Sequence, residues 1–169
     1  MRRRQIASVL CGFFDPLGWY IPFTNKLKVL LHECWEAKLT WDDPLPLEIQ
    51  EKTKSISQDM SCVANIQINR WIKYTSNSSS IELHGYGDAS SIMYSTCVYL
   101  VFSESNTTIS NLMCAKSRVA LKRQFTIPRL ELLAALLTAR LIKKLLHSCQ
   151  VNSNSKSSAF QTRKLFCVG

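Results

Sequence analysis

The sequence is poor in acidic residues, and it has none after Glu131. It contains 12 Asp and Glu against 21 Lys and Arg, which gives a formal net charge of +9 at pH 7. An excess of cations favours an anionic partner, and nucleic acid is the commonest one. The alternative is a solvated basic surface, because the cations form no dense block.

Other absences narrow the class of protein. No apolar run approaches the roughly 20 residues that a membrane-spanning helix needs, and no motif for a small-molecule substrate is evident. The seven cysteines are scattered and form no C-x-x-C pair, which disfavours a zinc site and predicts free thiols in a reducing compartment. Arg2–Arg4 precede an apolar run, as in a signal peptide, but no small-residue cleavage site follows. We therefore expect an intracellular protein, cytoplasmic or nuclear, without a membrane partner.

The spacing of apolar residues divides the chain into three parts. Residues 1–62 have a helical period, which predicts three helices, at about 6–14, 22–38 and 44–60. Residues 63–147 begin with a strand near Trp71 and a polar loop at 75–80. They continue with strands at 81–88, 95–103 and 109–118 and a strongly apolar helix at 128–147. Because this helix is apolar all round, we expect it to be buried between layers. Residues 148–169 are polar and lack acids, which predicts a disordered tail.

Two carboxylates occupy positions where a metal site is expected. Asp88 ends the strand that contains Gly85 and Gly87, and Glu131 lies in the predicted first turn of the long helix. A three-stranded meander with the helix packed across it brings them together. Two close carboxylates repel unless a proton or cation lies between them, and Mg²⁺ accepts such ligands. The alternative is structural, because the helix dipole favours Glu in a first turn and Asp is a common turn residue.

Five segments together resemble the polyprotein of Bel-Pao LTR retrotransposons, in the same order and at similar spacing. The resemblance runs from Arg3 to Leu146. The segments that carry it are Phe14–Gly18, Trp41–Pro46, Leu83–Ser90, Ala115–Ala120 and Ile127–Ala135.

The resemblance implies a position downstream of the reverse transcriptase, in a region often labelled a peptidase, with the rest of the polyprotein as partner. The implied fold class is α+β: a helical connection segment, then a truncated ribonuclease H-like three-stranded antiparallel meander plus one long buried helix. We expect residues 1–62 to form the connection segment, 63–147 the partial ribonuclease H-like domain and 148–169 a divergent tail.

The resemblance also assigns roles to the two carboxylates. It implies that Asp88 is the first-strand metal ligand and Glu131 the helix ligand, with Mg²⁺ as the cofactor. A ribonuclease H needs further acidic ligands, the next one after a fourth strand beyond this helix. No acidic residue follows Glu131, and no convincing fourth strand is recognisable in the sequence. We therefore expect vestigial metal binding and no catalysis by this chain, because two-metal cleavage needs more ligands.

Five cations between the third strand and the long helix are the candidate nucleic-acid contacts: Lys116, Arg118, Lys122, Arg123 and Arg129. In the family context they face the phosphates of an RNA–DNA hybrid, whereas the structural alternative is a solvated basic loop. Two other functions stay open. One is a domesticated protein-interaction module that uses the meander and the apolar helix. The other is an aspartic peptidase, although Asp88 is followed by Ala89 and no Asp-Thr/Ser-Gly triplet occurs.

Overall fold

The computed structural model describes residues 1–63, 65, 67, 81–104, 107–120, 125–153 and 164–168. Contacts divide the chain into two units, Met1–Asn69 and Arg70–Gly169. The predicted strand near Trp71 and the predicted loop at 75–80 lie outside the described residues, as do Lys122 and Arg123.

The first unit contains three helices, as the sequence predicts: α1 (Arg3–Gly12), α2 (Ile21–Glu36) and α3 (Leu47–Val63). Pro22 lies in the first turn of α2, where a missing N–H costs nothing. Apolar residues from all three helices and from the segment before α3 form one core, which consists of Ile6, Phe23, Leu27, Leu30, Cys34, Leu45, Ile49 and Ile56.

The turn between α1 and α2 is held by a single carboxylate. Asp15 accepts the backbone N–H of Trp19 and that of Tyr20, each at 2.8 Å. Gly18 has φ of 79°, in the left-handed region that glycine adopts without strain. The segment Phe14–Gly18 therefore has a structural role: its carboxylate and its glycine turn the chain from α1 into α2.

The second unit is an α+β structure in which a helix packs on a sheet, and it confirms the predicted β-β-β-α order. Its elements are β1 (Ile81–Ala89), β2 (Met93–Glu104), β3 (Thr107–Val119), α4 (Ile127–Ser153) and β4 (Lys164–Val168). The sheet order is β3-β2-β1-β4. The first three strands form an antiparallel meander, and β4 pairs with β1 in parallel.

The sequence analysis missed β4, and its expectations of no fourth strand and of a disordered tail are wrong for β4 and for the end of α4. Leu83 pairs with Lys164 and Gly87 with Val168, so β4 covers the edge of β1 that β2 leaves free. The free edge offers unpaired N–H and C=O groups to any apolar segment that reaches it. The pairing partner is distant in sequence, and the surrounding residues are rich in Ser, Asn and Lys. Local composition therefore does not reveal the strand.

Helix α4 is buried on one side only. Leu130, Ala134 and Ile142 are buried against the sheet, whereas Leu132 is 71% exposed and Leu136 is 45% exposed. The expectation that α4 lies between two layers is therefore wrong for this structure. Within the second unit, the strands of the sheet cover one face of the helix.

Two glycines of β1 let α4 lie directly on the strand. A Cβ on Gly85 would lie 2.6 Å from Cδ1 of Ile142 and 2.7 Å from Cγ2 of Thr138. A Cβ on Gly87 would lie 2.6 Å from Oγ1 of Thr138 and 3.2 Å from the backbone carbonyl of Ala134. A side chain at either position would force its neighbours on α4 to shift, so the two glycines allow the close approach of the helix.

The substitution Gly87→Ala is expected to destabilise the protein by about 1–3 kcal/mol, because overpacking at a rigid backbone contact forces the helix off the sheet. Thermal and urea unfolding followed by far-UV circular dichroism measures the change. Gly12→Ala makes the same chemical change in α1, where a Cβ meets nothing within 4 Å. It serves as the control and should leave stability unchanged or raise it by up to about 1 kcal/mol, because Ala is the better helix former. Equal stability of the two variants would contradict the assigned contact.

Candidate functional site

The two candidate carboxylates flank the closest approach of α4 and β1. Asp88 follows Gly87 in the strand, and Glu131 precedes Ala134 by one helical turn. Helix α4 begins at Ile127, so Glu131 lies just beyond the first turn rather than within it. The fold therefore brings the two residues to the same end of the sheet, on neighbouring elements. The predicted first-turn position of Glu131 is wrong, so a favourable interaction with the helix dipole in the first turn does not account for this residue.

The side chain of Asp88 lies on the face of β1 that is opposite to α4. Gly87 pairs with Thr96, and Thr96 contacts Thr138 of α4, so this pair marks the helix side. Asp88 pairs with Ser95 in an unshifted register, so it has the opposite orientation. Asp88 is exposed, and its Oδ1 accepts the N–H of Ala89 at 2.7 Å. One carboxylate oxygen is therefore already engaged by the backbone.

The described residues do not fit a two-ion magnesium centre. Within them, no group of three or more His, Cys, Asp or Glu side chains is close enough to hold a metal ion. Asp88 and the half-buried Glu131 supply two carboxylates, whereas fixing two cations and orienting a water between them requires more oxygen ligands. No reaction step through a metal is therefore derived for this chain.

Three of the five candidate nucleic-acid residues are described, and all three are exposed. Lys116 pairs with Thr96 and Arg118 with Tyr94 across β2 and β3. Since Thr96 marks the helix side of the sheet, both cations lie on that side. Arg129 is in the first turn of α4, with its guanidinium 4.8 Å from the ring centroid of Phe125. These cations and Asp88 therefore occupy opposite faces of the sheet.

A buried pair of hydroxyl groups joins α4 to the sheet, and the sequence analysis did not anticipate it. Oγ1 of Thr138 lies 2.7 Å from Oγ1 of Thr96 and 2.8 Å from the carbonyl of Ala134. Oγ1 of Thr96 also lies 2.9 Å from the carbonyl of Tyr86. The two hydroxyl groups have only two protons to donate, so at most two of these three contacts are hydrogen bonds at the same time. The signal in the sequence is Thr138, a polar residue between the buried Ala134 and Ile142 on the helix face that packs on the sheet.

A hydrogen-bonded side-chain pair on β1 was not predicted from the sequence either. Nε2 of His84 lies 2.8 Å from Oε2 of Glu82, two residues away on the same face of the strand. The signal is a Glu-x-His sequence in a strand of period two. The pair belongs to the face that carries Asp88, and it places no further carboxylate on the helix side.

The structure describes four cysteine side chains, and all four are free: Cys11, Cys34, Cys97 and Cys114. Burial raises the pKa of Cys34 and of Cys97. Burial also raises the pKa of Cys114 to about 11, with a smaller lowering by Lys116 and a smaller rise from Cys97. A neutral thiol is a poor nucleophile and a poor zinc ligand. The predicted free thiols are confirmed for these four cysteines, of which Cys11 is exposed.

Comparison with known protein families identifies the family of this chain. A family model described as the Pao retrotransposon-like RNaseH-like domain matches residues 2–161. The chain belongs to this family. The resemblance inferred from five short segments is thereby confirmed over nearly the whole chain. A comparison with curated proteins finds no match.

The Pao retrotransposon-like match covers both units and α4, and it ends before β4 begins at Lys164. The glycine-rich end of β1 and the start of α4, which carry Asp88 and Glu131, therefore lie inside the family domain. None of the described helices is both long enough and apolar enough to cross a bilayer.

Alkylation by iodoacetamide at pH 8 is expected to modify Cys11 long before Cys114. With a pKa of about 11, only about one Cys114 thiol in a thousand is ionised at that pH, and the side chain is also buried. Peptide mapping by mass spectrometry measures both rates in one sample. Unfolding in urea is the control, since it should bring the two rates together. Rapid labelling of Cys114 in the folded chain would contradict its assigned environment.

Proposed function

We propose that this ribonuclease H-like domain of a retrotransposon polyprotein binds a nucleic-acid duplex and does not cleave it. The main support for this proposal is a group of exposed cations on the helix side of the sheet: Lys116, Arg118 and Arg129. The ligand expected in a reverse-transcribing element is the RNA–DNA hybrid, which is recognised through its backbone and shape.

The charge distribution supports duplex binding. No Asp or Glu lies between Glu104 and Glu131, and that segment contains all five candidate cations. Acidic side chains near the cations would pair with them and compete with phosphates. Because this segment contains no acid, none of its own residues competes for Lys116 and Arg118. These two cations of the edge strand β3 can therefore contact the phosphates of a nucleic acid. Arg129 adds a guanidinium that rests on the ring of Phe125.

The orientation of Asp88 supports the absence of cleavage. A duplex held by Lys116 and Arg118 lies on the helix side of the sheet, and Asp88 lies on the opposite face. Glu131 is on the helix side, but a single carboxylate does not fix two cations. Because no acid follows Glu131 in this sequence, residues 132–169 supply no replacement ligand.

The 169-residue chain is expected to show no cleavage of an RNA–DNA hybrid in Mg²⁺ or Mn²⁺, with an active ribonuclease H as positive control. Asp88→Asn should behave as the unmodified chain does, because removing one ligand from an incomplete set changes nothing measurable. Product analysis on denaturing gels is the readout. Cleavage that Asp88→Asn abolishes would overturn this part of the proposal.

Affinity for the hybrid is expected to fall steeply as salt rises, because binding releases counterions from the phosphates. Replacing Lys116 and Arg118 together with Ala should weaken binding and reduce the slope of log K against log salt by about 1 for each contact removed. Fluorescence anisotropy with a labelled hybrid between low and moderate salt measures both quantities.

Lys54→Ala, which removes an exposed cation from α3, is the matched control for this titration. It should leave the affinity and the slope unchanged, because Lys54 is not a member of the proposed group Lys116, Arg118 and Arg129. Affinity that is independent of salt, or an equal loss in the Lys54 variant, would show that Lys116 and Arg118 do not form the binding site.

A further inference from the structure

The outer face of α4 carries a continuous stripe that shares only Arg129 with the proposed duplex site. Its exposed members recur at helical spacing, so they lie along one side of the helix: Arg129, Leu132, Leu136, Arg140 and Lys143. From Arg129 to Lys143 the stripe extends for about 21 Å at the helical rise of 1.5 Å per residue.

The centre of the stripe is apolar. Leu132 is 71% exposed and Leu136 is 45% exposed, and they stand four residues apart. The half-buried Leu133 and Leu137 widen this strip toward the sheet. Water-exposed leucines on a helix whose other face is already packed form a surface of the kind that partners bury.

The border of the stripe is cationic and has no acidic member. Arg140 and Lys143 lie beyond the leucines at one end, and Arg129 lies at the other. The single acid of α4, Glu131, shares the spacing of Ala134 and Thr138, which face the sheet, so it does not neutralise the stripe. A partner that covers these leucines is therefore favoured when it presents carboxylates around an apolar centre.

We infer that this stripe is a docking surface for an acidic amphipathic helix of a protein partner. Two leucines at a spacing of four fit between apolar side chains of a facing helix, as in helix-in-groove recognition. Glutamates on the borders of that helix pair with Arg129, Arg140 and Lys143. Phosphates would use the three cations but gain nothing from Leu132 and Leu136, which is why a protein partner fits this surface better than a nucleic acid.

The test uses the full chain and three labelled synthetic peptides of about 18 residues. The first has leucines along one helical face with glutamates on its borders. The second has the same composition in shuffled order, and the third has lysine in place of every glutamate. By fluorescence anisotropy, the first peptide is expected to bind at least tenfold more tightly than either of the others. Equal binding of the first and shuffled peptides would overturn the inference, since charge alone would then explain it.

Two double variants locate the site, and one single variant is the control. Leu132→Ser combined with Leu136→Ser should reduce affinity for the acidic peptide at least tenfold and leave affinity for the RNA–DNA hybrid unchanged. Leu17→Ser, at a leucine of the first unit that is 42% exposed, should alter neither affinity. Arg140→Glu combined with Lys143→Glu should reverse the preference toward the lysine peptide.

Circular dichroism before and after substitution shows that the variants keep their helix content, since the replaced side chains are exposed. Unchanged peptide affinity in the Leu132 and Leu136 variant would disprove the assigned surface. An equal loss of hybrid and peptide affinity would assign the stripe to the nucleic-acid site and would also overturn the inference. If the proposed duplex binding fails while the acidic peptide still binds as expected, this inference stands without it.

Discussion

The close approach of α4 to β1 is the constraint on which the second unit depends. The helix lies against the strand because Gly85 and Gly87 have no side chains, and Thr138 and Ala134 occupy the space that a Cβ would take. This contact determines which face of β1 the helix covers. It also determines which residues of α4 lie beside the end of β1. It also brings Thr138 to Thr96, so a buried polar pair forms at the point of closest packing. A larger residue at either glycine would shift the helix and everything that it positions.

The same contact determines the distribution of charge. Since Gly87 faces the helix, strand alternation turns Asp88 to the opposite face and places Lys116, the neighbour of Thr96 in the sheet, on the helix side. The cations are thus arranged around α4, and Asp88 is separated from them by the thickness of the sheet. Duplex binding and metal-dependent cleavage would therefore require different faces of this unit. This separation, together with the short supply of carboxylates, makes binding without cleavage the function that the geometry supports best.

Much of the fold follows from local sequence, and the exceptions have physical causes. Helical spacing identified α1, α2, α3 and α4, and period-two runs identified the meander, because each of these patterns lies within one element. Strand β4 escaped detection because its partner, β1, is distant in sequence and its own residues are few. The site was predicted only in part: the sequence identified Asp88, Glu131 and the exposed cations, but the face on which Asp88 lies depends on register and on the glycine contact. Neither can be derived from composition.

Helix α4 is apolar on both sides for different reasons. On the sheet side, small residues such as Ala134 and Thr138 alternate with larger ones, because the strand backbone comes so close. On the outer side there is no such restriction, and leucine is a favourable helix former wherever it stands. Propensity therefore explains why leucine is tolerated at 132 and 136, but it does not explain why the charged residues along this stripe are all cationic. A helix that was merely solvated would gain from acids placed four residues before its lysines and arginines, and the outer face has none. The missing acids therefore point to carboxylates that are supplied from outside the chain.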